Sequence, residues 1–263
     1  MTTIRSSDAQ LYYEVIGDGP SVVLLHPFPL NHNFWAAIAA QLSSRYRLII
    51  PDLRGHGESE LGDGPATMQK LADDLARICR EEKTGKARFV GVSIGGYVLF
   101  EFWRRYREQV AALVLANTRA GAETPESKVT RLQAADRVLH EGTAGFIEEM
   151  LWKLLSQTTR TNRPDIVDSA RRMMQAMSPE DVAGAQRGMA ERPDSVATLA
   201  TINVPALIIA GEEDSVPRSE FELMRQSIAG SELRVISGAG HYAALEKPEE
   251  FAGLLRDAVA SSQ

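Results

Sequence analysis

Thiols are nearly absent from this chain. Cys79 is the one cysteine in 263 residues, so no intramolecular disulfide can form and folding does not depend on an oxidising compartment. It lies in a stretch of helical spacing, Leu71 to Cys79, and reads as a small buried apolar group. Long apolar runs are also missing. None approaches the ~18 residues needed to span a bilayer, and Met1-Thr2-Thr3-Ile4-Arg5 has no signal-peptide core. A cytoplasmic location without a membrane partner is therefore expected. Nor is there a basic excess: the formal net charge is −6, which provides no electrostatic footprint for nucleic acid. No metal-ligand cluster appears, and Gly91-Val92-Ser93-Ile94-Gly95 is not G-x-G-x-x-G, so neither metal nor nucleotide cofactor is expected. Internal repeats and low-complexity tracts are lacking as well.

What is present reads as one large globular domain, or one domain carrying an insertion. The 44% of hydrophobic residues suffices for a substantial core. Gln10 to Ile16 alternates like an edge strand. Val22–Leu25, Leu48–Ile50, Phe89–Val90, Leu113–Leu115, Ala206–Ile209 and Leu233–Ile236 are short runs of the kind found in strands buried on both faces. Helical patterns fall between them, at about Asn33–Leu42, Thr67–Glu82, Gly95–Tyr106, Arg218–Ile228 and Pro248–Ala260. This alternation predicts an α/β fold with a mostly parallel sheet of about eight strands and helices on both faces. From about Arg119 to Ile202 it stops. Apolar residues there recur at helical spacing, and Ser178-Pro179-Glu180-Asp181 is a strong helix start. The expected division is a core of residues 1–119 and 203–263 with a helical lid at 120–202.

The main chemical signal is Gly91-Val92-Ser93-Ile94-Gly95-Gly96, which follows the strand Ala87–Val90 and precedes a helix. A sharp strand-to-helix turn in that context lifts a serine hydroxyl clear of the sheet. The competing reading is a glycine-rich turn with an incidental serine. A serine needs a base to take its proton. Of His26, His32, His56, His140 and His241, only the last two follow the serine in the chain. His241, in Ser237-Gly238-Ala239-Gly240-His241 after the last strand, is the better placed. The orienting carboxylate is expected in Ala210-Gly211-Glu212-Glu213-Asp214, where Asp214 lies farthest into the turn. Glu212 and Glu213 read as solvated loop charges. Asn117 occupies the alternative acid position and cannot balance an imidazolium. For a developing oxyanion, N–H donors are expected from Ile94 and from Phe28 in His26-Pro27-Phe28-Pro29, since neither proline can donate. Phe28-Pro29 is a candidate cis bond.

These motifs, together with Asp52-Leu53-Arg54-Gly55-His56-Gly57-Glu58-Ser59, resemble those of the lid-bearing α/β-hydrolase superfamily over essentially the whole chain. Small bacterial carboxylesterases, enol-lactonases and cofactor-free perhydrolases are the closest groups. Pro27 departs from the glycine usual at that position, and Pro29 is similar to the proline of the perhydrolases. The resemblance implies acyl transfer on short to medium acyl esters or lactones, with Ser93 as nucleophile, His241 as base and Asp214 orienting it. Perhydrolysis or carbon–carbon bond hydrolysis on the same residues, and a non-catalytic small-ligand-binding signalling role, remain alternatives. Trp152, Leu155 and Tyr242 are the candidate substrate-binding residues. Five of the eight methionines fall in the expected lid, where they either line a pocket or fill between helices. A monomer and a homodimer are equally open.

Overall fold

In the computed structural model, which describes residues 2–260, eight strands form one sheet in the order β1-β2-β4-β3-β5-β6-β7-β8. They are β1 (Thr2–Ser6), β2 (Ala9–Ile16), β3 (Ser21–Leu25), β4 (Arg47–Pro51), β5 (Ala87–Val92), β6 (Val110–Ala116), β7 (Ala206–Gly211) and β8 (Glu232–Ile236). β1 and β2 pair antiparallel, as do β2 and β4. All the remaining pairs are parallel. Every residue of β5 and β7 is buried, which is why β7 is an unbroken apolar run and β5 is broken only by Arg88.

Two strands depart from the sequence reading. Gln10–Ile16 is not an edge: β1, a five-residue strand, covers it. Leu233–Ile236 is not buried on both faces. β8 is the last strand in the sheet, and of its residues only Ile236 is buried.

The helices are α1 (Ala36–Leu42), α2 (Met68–Glu81), α3 (Ile94–Tyr106), α4 (Pro125–Glu141), α5 (Ala144–Leu154), α6 (Gln157–Asn162), α7 (Pro164–Gln175), α8 (Pro179–Ala190), α9 (Val196–Leu199), α10 (Arg218–Ser227), α11 (Ala243–Glu246) and α12 (Pro248–Ala260). A 3-10 turn, His32–Trp35, takes the start of the helix expected from Asn33. Successive strand side chains point to opposite faces, and two apolar clusters result. Val23, Leu25, Phe89 and Leu113 pack with α2 and α3. Val22, Leu24, Val90 and Val114 pack with α1 and α12.

Six helices, α4 to α9, and among the described residues no strand, lie between β6 and β7. α8 begins at Ser178 as expected: its Oγ accepts from the Asp181 N–H at 3.1 Å and the Asp181 carboxylate accepts from the Ser178 N–H at 3.1 Å. Such a reciprocal cap satisfies two donors that the helix itself leaves free. No helix among the described residues is long and apolar enough to cross a membrane.

Candidate active site

The loops that leave the C-terminal ends of β3, β5, β6, β7 and β8 converge on one place. Ser93 is the turn residue between β5 and α3, with φ +54° and ψ −114°. A non-glycine residue rarely adopts such a backbone, which costs about 1–3 kcal/mol and persists only when the surroundings enforce it. Here they do. The Ser93 N–H donates to the Ala116 carbonyl at 3.0 Å, and the Ser93 carbonyl accepts from Thr118 Oγ1 at 2.8 Å. The flanking glycines leave the space the turn needs. A Cβ on Gly91 would come within 2.5 Å of the Gly95 backbone, and one on Gly95 within 2.7 Å of the Leu25 carbonyl oxygen. Of residues 91–96, only Ser93 is not buried.

On the far side of the sheet's C-terminal edge, His241 Nδ1 is 2.7 Å from Asp214 Oδ1. Both side chains are nearly closed to solvent, at 8% and 1% exposure. Burial by itself would raise the Asp214 carboxyl. The His241 ring, the Val216 N–H and the Asn117 amide outweigh it and hold the group below the ordinary carboxylate range. Asn117 Nδ2 donates to Asp214 Oδ2 at 2.7 Å. The residue that sequence reading set aside as unable to be the acid thus grips the acid from the neighbouring strand end. The contact joins residues 97 apart in the chain, and no local pattern announces it.

The His241 loop is also fastened to the α5–α6 junction. The His241 N–H donates to the Leu154 carbonyl at 2.8 Å. The buried Glu246 carboxylate accepts from Gly240 N–H, Ser156 N–H and Thr159 Oγ1 at 3.0, 3.0 and 2.7 Å. Glu212 and Glu213, read from sequence as solvated charges, are exposed but engaged: they accept from Gly238 N–H and Gln157 N–H at 2.9 Å each.

Phe28 follows β3 between two prolines, and the Phe28-Pro29 bond is cis, as expected. Its carbonyl accepts from the Tyr242 hydroxyl at 3.1 Å. Ile94 opens α3, so its N–H precedes the helix's own hydrogen-bond ladder. His26 and His56 lie buried behind Phe28, with ring centroids 5.1 Å apart and His56 5.8 Å from the Phe28 ring. His140 is exposed in the last turn of α4.

Ser93, Phe28 and His241 share a cavity of about 780 Å³. Its outer wall comes from α4, α5 and α8, including Met150 and Met189. Met173, Met174 and Met177 are instead buried in the core. The three residues proposed from sequence to bind substrate do not line this space. Trp152 is 64% exposed and stacks under the Arg160 guanidinium at 5.0 Å. Leu155 and Tyr242 are buried in the core. α5 instead contributes Phe146, Glu149, Met150, Lys153 and Leu154. Those positions recur at the three- and four-residue spacing of one helix face, and Trp152 falls off that face. The helical phase of α5 was the signal that would have found them. Among the described residues no cluster able to hold a metal ion occurs.

Comparison with known proteins agrees with this architecture. A family model described as alpha/beta hydrolase fold matches residues 20–248. The 3-oxoadipate enol-lactonase 1 of Acinetobacter baylyi is 27% identical over 247 residues, covering 94% of this chain and 91% of that protein. A thermophilic esterase from Thermogutta terrifontis, solved with malate bound, superposes with a TM-score of 0.96 at 38% identity, over 100% of this chain and 99% of the other. The enol-lactonase from Burkholderia xenovorans superposes with a TM-score of 0.92 at 25% identity, covering 98% and 100%.

Proposed function

The chain belongs to the alpha/beta hydrolase fold family, and from that membership we propose that it is a serine hydrolase of carboxylic esters with short to medium acyl groups, or of lactones. Ser93 is the nucleophile, His241 the general base and Asp214 the carboxylate that fixes the imidazole. The observation that carries this reading is the His241–Asp214 contact of 2.7 Å on the same cavity as the strained Ser93 turn. The esterase and enol-lactonase relatives support it.

Asp214 accepts from Nδ1–H, which leaves His241 Nε2 as the nitrogen free to take a proton. Ser93 Oγ attacks the carbonyl carbon while His241 accepts its proton. The N–H groups of Phe28 and Ile94 then stabilise the oxyanion, each worth about 10²–10³ in rate. His241 returns the proton to the leaving alkoxide, and water attacks the acyl-enzyme by the same route in reverse. Residues 120–202 serve as a cap: α4, α5 and α8 wall the cavity and select the acyl group. A fluorophosphonate probe is expected to label Ser93. In a p-nitrophenyl ester chain-length series, Ser93→Ala should lose about 10⁴–10⁶ in kcat. Unlabelled protein, or turnover that survives Ser93→Ala, rejects the assignment.

Pro29 motivates a second reading, in which the same residues pass the acyl group to hydrogen peroxide, because its neighbour Phe28 lines the cavity with Ser93. Peracid formation from acetate and peroxide tests it. A rate no higher than background removes it.

A further inference from the structure

The cavity wall away from Ser93 is built around one buried carboxylate. Glu123 is 5% exposed and meets three guanidinium groups. Arg119 Nη2 reaches Oε2 at 2.8 Å. Arg131 Nη2 and Arg192 Nε reach Oε1 at 3.0 and 3.2 Å. Burial would raise the Glu123 carboxyl, but Arg131, Arg119 and Arg192 together hold it down at about 2. It is therefore ionised, and the group still carries an uncompensated positive excess.

That excess is unusual in this chain. Its formal net charge is −6, yet the cavity lining holds Arg119, Arg131, Arg137 and Lys153 against Glu123, Glu126 and Glu149. Arg137 and Glu149 neutralise each other through two bonds of 2.9 and 2.7 Å. A purely structural brace needs no more guanidinium groups than its carboxylate can satisfy, because buried unpaired charge is costly. Here donors are left over: Arg131 Nε and Arg192 Nη2 are buried with no hydrogen-bond partner among the described residues. Arg119 and Arg131 keep 27% and 21% of their side chains exposed on the cavity side of Glu123.

The position suits a second end of a substrate. Arg192 stacks on the Tyr97 ring at 4.2 Å. Tyr97 lies in α3 one helical turn beyond Ser93, about 6 Å along the axis. Arginine forks match a planar carboxylate better than any other side chain does, and in a recess they attract it strongly.

We propose that Arg119 and Arg131, set around Glu123, form a subsite for a free carboxylate on the substrate, so that the ester or lactone opened at Ser93 carries an acid group a few bonds from the scissile carbonyl. This deepens the serine-hydrolase reading and rests on it. The direct test compares the monomethyl ester of a four- to six-carbon dicarboxylic acid with the methyl ester of the monocarboxylic acid of equal length. The wild-type kcat/KM ratio is expected to favour the half-ester by about ten- to a hundredfold, the range of one or two charged hydrogen bonds, chiefly through KM. Arg119→Met and Arg131→Met should each cut that ratio about tenfold, and the lysine replacements should cut it less. A wild-type ratio of one or below overturns the subsite without any variant. Calorimetric titration of Ser93→Ala with the free dicarboxylic acid needs no turnover. Saturable binding that Arg131→Met abolishes supports the subsite, and no binding overturns it. Turnover surviving in Ser93→Ala would instead overturn the nucleophile, while the titration still decides the subsite.

Discussion

Two histidine–aspartate pairs stand at the C-terminal edge of the sheet, and one of them shares its cavity with Ser93. His241 Nδ1 is 2.7 Å from Asp214 beyond β7. His32 Nδ1 is 2.9 and 3.0 Å from the two oxygens of Asp52 beyond β4. The contacts are nearly alike; the other ends are not. His32 Nε2 looks toward Glu14 at 4.0 Å, and its ring packs on Tyr12 at 4.9 Å. Asp52 also accepts from the His32 and Glu58 N–H groups, at 2.6 and 2.8 Å, so its carboxylate is spent on closing the turn of residues 52–59. His241 and Ser93 share the cavity. The same element, a histidine held by a carboxylate, thus occurs twice, and under the proposed mechanism what lies at its second nitrogen decides between holding a loop and moving a proton.

The sharpest way to break this distinction is to neutralise each aspartate in turn. Asp214→Asn should lower kcat for a p-nitrophenyl ester by about 10⁴, because the amide no longer fixes the tautomer or balances the imidazolium. Its unfolding free energy should fall as well, because Asp214 is a buried, paired carboxylate, so the rate is compared per folded molecule. Asp52→Asn should cost stability alone: activity per folded molecule stays near wild type, while unfolding free energy falls by about 3 kcal/mol, the lower end of the cost of breaking a buried pair. Steady-state rates and urea titrations on the same preparations decide. Loss of activity in fully folded Asp52→Asn would erase the contrast.

A smaller effect is expected at Asn117, which has no counterpart in the His32 pair, where the second carboxylate oxygen is held by backbone. Asn117→Ala removes the 2.7 Å bond to Asp214 Oδ2 and should cost about tenfold in kcat, the worth of one hydrogen bond to a charged group. Asn117→Asp places a second carboxylate there. Two carboxylates in contact cannot both ionise easily, so the acid limb of the kcat/KM profile should move to higher pH. A merely structural asparagine would lower stability in both variants and leave that limb in place.

Which half of this comparison is legible in the sequence follows from range. Ser93 and its glycines are neighbours in the chain, and the strand before and helix after them are each visible as a period, so the turn can be read from six residues. The runs from β3 to β7 are legible because burial on both faces forces continuous apolar sequence. β1 escapes because Thr2–Ser6 is short and half exposed, and strand order decides which strand is the edge. Asn117, Glu246 and the Glu123 cluster escape for another reason. Their partners lie far along the chain, and a lone Asn or Glu looks the same whether solvated or buried. Trp152 misleads where helical phase is disregarded, and the phase of α5 turns it outward.

The smallest effect concerns pH and separates the histidines of the holding region from one another. Burial opposes charge on His32, but the Asp52 carboxylate outweighs it and raises the ring above its ordinary value. Asp52 is correspondingly held below its own, against its burial. A raised histidine adds stability that is complete below the unfolded value near 6.5 and disappears as pH rises through the folded value. A lowered aspartate adds stability that is present above its unfolded value near 3.9 and disappears as pH falls through the folded one. His26 has the opposite sign. It is fully buried, donates from Nδ1 to the Pro27 carbonyl and accepts from the Leu53 N–H at 2.9 Å. Burial, with some help from His56, lowers it to about 3. Its neutral ring is fully stabilising above pH 6.5, and that stability drains as pH falls toward 3, with a slope of up to about 1.4 kcal/mol per pH unit. Urea titrations at pH 5, 7 and 9 should therefore show the gap between wild type and His32→Gln narrowing as pH rises. Between pH 7 and 5, His26→Asn should flatten the acid loss seen in wild type. If the His32→Gln gap widens with pH instead, the His32–Asp52 contact is not an ion pair, and the likeness of the two pairs is one of distance alone.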